Sequence, residues 1–429
     1  MYNYHNFTSL EDLLRKTKEY GELQTEYGNG EKVRHIVEGM EANLQSALAA
    51  IRDIVPDAGR ASEEPDDYPS IRRLCTGGNI RVKNIPKLHD KMEGALLGRF
   101  IGCTLGVPVE LWSVDRMETL AKYNGMAFPP TDYWTAVSEP WGIQYGTDPR
   151  SRFTRDGIDG VPVDDDITYT ILGLLIVERY GFEFSTADVG EIWIKLLPMA
   201  YTAEEVALKN LNAGIPAHEA AMVDNPYCQW IGADIRADGF AFAAAGNPEH
   251  AASMGYRDAY LTHRRNGIYG EMFFAAAEAA AFTVTDPLEA IRIALREIPS
   301  GCALSEAVRW ALETGPALKD YREARFAVDK RFPGMDPVHT INNACLTIFG
   351  LILGGGDFTK TVSNVVAMGL DNDCTAATAG SIIGAVAGAG GIPSFWTKGF
   401  NGKVRTYLRG LPEFRIEDIV NRFVKLASS

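Results

Sequence analysis

Residues 164–181 read DDDITYTILGLLIVERYG, and residues 371–391 read DNDCTAATAGSIIGAVAGAGG. Each stretch places aspartates directly before an apolar run with helical character. One Asp at such a start is a helix cap, because its oxygen accepts orphan backbone N–H bonds and the helix dipole favours an anion there. Several are not explained in this way. Crowded carboxylates repel and raise one another's pKa unless a cation lies between them, and buried charges are paired or coordinate metals. The two helix starts are therefore expected to meet in space and share divalent metal. The clusters are rich in oxygen and poor in histidine, which favours Mg²⁺ or Mn²⁺ over zinc. Two clusters suggest a binuclear site, able to orient a water and clamp neighbouring hydroxyls. Asp371-Asn372-Asp373 lacks the glycine and closing Glu of an EF-hand loop.

Upstream, Gly94, Gly98, Gly102 and Gly106 recur every four residues in KLHDKMEGALLGRFIGCTLG, residues 87–106. Glycine costs a helix about 1 kcal/mol against Ala, so a stripe without side chains needs a reason, and close approach of another backbone supplies it. Gly380, Gly384 and Gly388 repeat the device, and the two stripes are expected to pack on each other. A proline-bounded turn, GVPVE, follows the first stripe and ends in Glu110.

From residue 164 onward the pattern is helix after helix, including 167–180, 217–223, 248–263, 270–283, 338–352 and 374–389. No alternating strand pattern competes, so residues 86–429 read as an all-α, orthogonal multi-helix bundle. Residues 1–85 read as a separate helical N-terminal extension: TSLEDLLRKTKEY and EKVRHIVEGMEANLQSALAAIRDIV show helical spacing, with Thr8 or Ser9 as cap. The stretch 123–163 has no periodicity and carries Tyr133, Trp134, Trp141 and Tyr145. A loop that long is usually functional. Its aromatics either stack on a planar ligand such as a purine or pin the loop to the surface. Read alone, His263 is a surface helix histidine, Arg236 pairs with Asp234 or Asp238 or contacts phosphate through a glycine-flanked turn, and His339 packs near a helix start.

The chain has 429 residues, 46% hydrophobic and 23% charged, with net charge −14. That balance, with no basic run, argues against nucleic acid or an anionic membrane as partner. Six scattered cysteines without CxxC spacing fit reduced thiols in a cytoplasm. The N-terminus shows no signal-peptide pattern. The Ala/Gly-rich stretch 374–392 is long enough to suggest a membrane span, yet an aspartate pair opens it, so a core helix is expected. No HExxH, P-loop, GxGxxG or GxSxG motif is present.

Taken in order, these motifs resemble the ADP-ribosylglycohydrolase family over about residues 89–395. The G-x-P-x-E pattern matches Gly106 to Glu110, and T-D-D-T matches Asp164-Asp165-Asp166-Ile167. A glycine segment ending in Arg is echoed by Gly232 to Arg236, and T-H matches Thr262-His263. The D-x-D-T/C pattern before a Gly/Ala helix matches Asp371-Asn372-Asp373-Cys374. The resemblance implies an all-α fold, two Mg²⁺ or Mn²⁺ ions and hydrolysis at the anomeric carbon of ADP-ribose. It implies metal ligands among Asp164, Asp165, Asp166, Asp371, Asp373 and Thr375, and catalytic roles for Glu110, Asp166 and Asp373. It places His263, Gly232, Arg236 and Trp141 around the substrate. Such cleavage passes through an oxocarbenium-like state helped by carboxylates and a positioned water. The chain departs from the pattern where Asp164 and Ile167 replace threonines and Cys374 replaces a third. Alternative expectations are a hydrolase of another ribosyl compound, such as a nucleoside or nucleotide, and a non-catalytic ADP-ribose-binding scaffold. The leaving group is not legible.

Overall fold

The computed structural model describes residues 4, 7–78, 80–143 and 146–429. The chain forms two compact units, Met1–Ser62 with Phe332–Met335, and Glu63–Arg331 with Asp336–Ser429. The smaller unit carries helices Thr8–Gln24 and Gly30–Arg52, neither of which buries a residue. Phe7, rather than Thr8 or Ser9, occupies the cap position of the first.

The larger unit begins at Glu63, within the stretch expected as the N-terminal extension. Residues 63–85 are held by specific bonds: the Glu64 carboxylate accepts from Ala303 N–H at 3.0 Å, Arg72 pairs with Glu297 at 2.7 Å, and Val82 N–H donates to Gly246 O at 2.9 Å. Ile71 is fully buried.

The fold is all-α, with nineteen α-helices among the described residues. Its one ribbon pairs Lys403–Arg405 with Glu413–Arg415 antiparallel, strands too short to show an alternating pattern. Helix Asn266–Ala281 is buried along its whole length. Residues 217–223 form turns instead of the expected helix, while helices Val114–Tyr123 and Ala237–Ala243 were not legible as such. Segments of two to three turns sit below the length at which helix propensity decides the outcome.

The two glycine stripes do pack on each other. A methyl on Gly94 would meet the Gly384 carbonyl, one on Gly98 the Gly380 carbonyl, one on Gly102 the Ala376 carbonyl, and one on Gly106 the Asp373 backbone. Helices Leu88–Gly106 and Asn372–Ala387 therefore run antiparallel with their backbones in contact. This register brings the C-terminal end of the first, and Glu110 just beyond it, to the aspartates that open the second. The helical part of 374–392 is core, with Asn372 to Ala385 all buried, while Ala387, Gly390 and Gly391 are exposed. Among the described residues no single helix is long and apolar enough to cross a membrane.

Candidate metal centre

Three elements converge at the N-terminus of helix Asn372–Ala387. Helix Asp165–Tyr180 brings Asp164, Asp165 and Asp166, with Asp164 as its N-cap accepting from Asp166 N–H at 3.1 Å. Asp371 caps the second helix by position but its carboxylate makes no cap bond. Glu110 follows the 3₁₀ turn Val107–Val109. Leu111 and Leu370 flank the site in left-handed conformation, φ 60° and 61°.

The ligand-capable atoms form three linked groups, each spanning no more than 4.8 Å: Glu110, Asp371 and Asp373; Asp166, Asp373 and Cys374; and Asp164, Asp165 and Asp166. Asp373 belongs to the first two and Asp166 to the last two. Asp164 Oδ2, Asp371 Oδ1 and Asp373 Oδ1 are buried and receive no hydrogen bond. Such oxygens cost free energy unless a cation or donor meets them, so this donor set fits hard divalent ions.

The electrostatics agree. Burial, then the neighbouring Asp165, pushes the Asp164 carboxyl well above its ordinary range, and burial, then Asp373, does the same to Asp371. Asp373 is pushed up to about 7 by burial and by Asp166. Asp166 differs in having its own cation: Arg99 Nη2 donates to its Oδ1 at 2.7 Å, with both side chains buried. Arg99 also donates to Ile235 O at 2.7 Å and Thr378 Oγ1 at 3.2 Å, and pairs with Asp238 at 3.2 Å. A charged residue inside a glycine-striped apolar helix was the signal for Arg99, and the sequence reading passed over it.

A narrow cleft of about 70 Å³ opens onto these acids. Its lining includes the acids Glu110, Asp165, Asp371 and Asp373 with Cys374, together with Tyr201, Thr202, Glu204, Ile231, Gly232, Ile235 and Val338. Tyr201 to Glu204 were missed from sequence, because nothing in MAYTAEEV is unusual for an exposed helix start. Thr202 has φ 46°. A side chain on Gly232 would collide with the Glu204 carboxylate, which explains that glycine.

Other expected site residues lie elsewhere. Arg236 spends its donors on Glu204, Asp258, Glu271, the Thr262 hydroxyl and the Gly232 carbonyl. Its partners are not Asp234 or Asp238, and none of its donors remains for phosphate; it holds Glu204 at the cleft wall. His263 is buried rather than on the surface, with Nδ1 2.6 Å from Thr262 Oγ1, and does not line the cleft. Burial, then Arg236 and Arg264, lowers its pKa well below the usual value. The Thr375 hydroxyl donates to the Asp371 carbonyl at 2.9 Å within its own helix. In the long loop, Trp134 donates to Leu105 O at 3.0 Å and Tyr133 to Trp396 O at 2.9 Å. These two aromatics pin the loop. Trp141 is 83% exposed and does not line the cleft, and Tyr145 lies outside the described residues.

The family model for ADP-ribosylglycohydrolase matches residues 84–427. A solved structure of an ADP-ribosylglycohydrolase-related protein complex shares the fold with TM-score 0.53 and 19% identity, over 80% of this chain and 99% of that one. No curated protein matches the chain. Fold, acidic helix starts and the span of the family match agree: the chain belongs to the ADP-ribosylglycohydrolase family of glycosyl hydrolases.

Proposed function

We propose that this protein is a divalent-metal-dependent hydrolase that cleaves the C1 glycosidic bond of an ADP-ribosylated substrate. The observation that carries the reading is the convergence of Glu110, Asp371 and Asp373 within 4.8 Å, with carboxylate oxygens on both aspartates that no donor meets. Asp166, Asp371, Asp373 and Glu110 would hold two Mg²⁺ or Mn²⁺ ions, with Asp164 and Asp165 closing the far side. Bound metal supplies a polarised water and a clamp for neighbouring ribose hydroxyls.

The chain's own groups do the rest. Glu110, at the cleft and only 7% exposed, takes the proton of the water that adds to C1 and returns it to the nitrogen or oxygen that leaves, as a positioned carboxylate does in glycoside hydrolysis. Asp165, partly exposed on the lining, accepts from a ribose hydroxyl. Glu204, fixed by Arg236, lines the same cleft and accepts from the bound substrate. Ile231, Ile235 and Val338 exclude bulk water.

The size of the cleft supports a second reading. A pocket enclosing a drug-sized ligand has roughly 300–1,000 Å³, whereas this one has about 70 Å³. The cleft is smaller than that, and hydrolysis of a smaller ribosyl compound, such as a nucleoside or nucleotide, is the competing reading. The test incubates metal-loaded protein with ADP-ribosyl-arginine, ADP-ribosyl-serine, a nucleoside and a nucleotide, and measures release of the sugar product. The reading expects release from the ADP-ribosyl compounds, with turnover at least about 10²-fold lower in folded Glu110→Gln. Release from the nucleoside or nucleotide alone selects the second reading. No release from any of them by folded, metal-loaded protein overturns both.

A further inference from the structure

The two groups that share Asp373 are chemically unlike. Glu110, Asp371 and Asp373 offer only carboxylate oxygens, whereas Asp166, Asp373 and Cys374 include a sulfur. The difference is fixed by the surrounding structure. Arg99 occupies Asp166 Oδ1 at 2.7 Å, which leaves Oδ2 to face the site. Cys374 Sγ donates to that same Oδ2 at 3.2 Å. A cation bound to Asp166 Oδ2 therefore lies against the sulfur. Cys374 lines the cleft and sits in the first turn of helix Asn372–Ala387; burial, then the carboxylates of Asp166 and Asp371, hold its thiol well above the ordinary range, so a cation between these groups is what would favour its ionised form. Between the two groups, Asp373 Oδ1 is buried, unpartnered and only 1% exposed.

Magnesium demands near-octahedral oxygen coordination and keeps its waters. Borderline and soft divalent ions accept thiolate readily. From this asymmetry we infer that the centre holds two different ions: a hard Mg²⁺ or Mn²⁺ on Glu110, Asp371 and Asp373, and a thiophilic divalent ion on Asp166, Asp373 and Cys374. Ligation exchanges the S–H bond for a metal–sulfur bond and releases the proton to the buffer. The inference rests on the proposed metal-dependent reading, and it assigns Cys374 the selection of metal at the second position.

The experiment titrates the full-length protein with Co²⁺, Cd²⁺ and Mg²⁺, followed by near-ultraviolet absorption and calorimetry, in wild type, Cys374→Ser, Asp373→Asn and, as control, Cys103→Ser. The expected result is a sulfur-to-cobalt charge-transfer band in wild type and Cys103→Ser that is lost in Cys374→Ser. Preference for Cd²⁺ over Mg²⁺ should fall at least about tenfold in Cys374→Ser, and protein carrying one Cd²⁺ should still take up one Mg²⁺. If Cys374→Ser does not fold, the wild-type band and the mixed stoichiometry decide. Mg²⁺ uptake that depends on Asp373, with no sulfur band and no change of preference in Cys374→Ser, overturns the inference and leaves the metal reading intact. No uptake of any ion by wild type overturns both.

Discussion

Leu111 N–H donates to the Leu370 carbonyl at 2.9 Å, and both residues are left-handed, φ 60° and 61°. They are the immediate neighbours of Glu110 and Asp371, so one strained bridge ties the two carboxylate-bearing turns together. Left-handed leucine costs roughly 1–2 kcal/mol per residue, and strain of this kind clusters where geometry serves a site. Leu111 is 49% exposed, so its side chain contributes little packing. We expect Leu111→Gly to leave stability unchanged or raise it by up to about 1 kcal/mol, while turnover falls because Glu110 loses its restraint. Chemical denaturation alongside steady-state kinetics checks this; a loss of more than about 1 kcal/mol would show that the leucine is there for packing.

Arg99 stands between the acids and the core. Arg99→Met removes the cation beside buried Asp166 and should destabilise by about 3–5 kcal/mol, the cost of breaking one side of a buried pair. Adding Asp166→Asn should recover part of that loss, because only one of the two carboxylates that Arg99 pairs with, Asp238, is then left without its cation. Urea titration of the two single variants and the double variant measures the coupling; strict additivity would contradict a direct role for the pair.

The glycine stripe sets the distance between Glu110 and Asp373. Gly98→Ala gains about 1 kcal/mol of helix propensity, but its methyl falls on the Gly380 carbonyl. Separating two helices in a packed core costs about 1–3 kcal/mol, occasionally more. We therefore expect net destabilisation together with weaker Mn²⁺ binding in calorimetry. A stabilised variant that binds Mn²⁺ normally would mean that the close approach is not what builds the centre.

His339 gives a pH dependence of definite sign. Burial lowers its pKa from 6.5 to about 4, and its Nδ1 accepts from Ile341 N–H at 3.2 Å as a helix cap. The unfolded chain binds the proton more readily, so the contribution of this group is complete above about pH 6.5 and is lost as pH falls towards 4. The full loss is about 3 kcal/mol. His339→Asn keeps a capping acceptor without the titration, and should flatten that part of the stability profile between pH 4 and 6.5. Parallel profiles for the two proteins would contradict the assignment.

Much of this architecture was legible because its determinants are local. Aspartates at helix starts and glycines every four residues state their requirements within a few residues, and their meeting follows from the stripes. Arg236 and His263 were misplaced because burial is a tertiary property: an arginine between glycines looks the same whether it faces phosphate or three buried carboxylates. Tyr201 to Glu204 were invisible for a related reason, since only the Arg236 ion cluster turns an ordinary helix start into a cleft wall. The segment 63–85 reads as part of the N-terminal extension, yet Glu64 and Arg72 bind partners more than 170 residues away.

The space around Asp373 is where a shared metal ion must sit if the two aspartate clusters form one centre. The direct measurement is anomalous diffraction from crystals soaked in Mn²⁺. The account predicts Mn²⁺ density in contact with Asp373, on the side of Glu110 and Asp371, and its loss in Asp373→Asn. Mn²⁺ bound elsewhere on the molecule, with no anomalous density near Asp373, would contradict it.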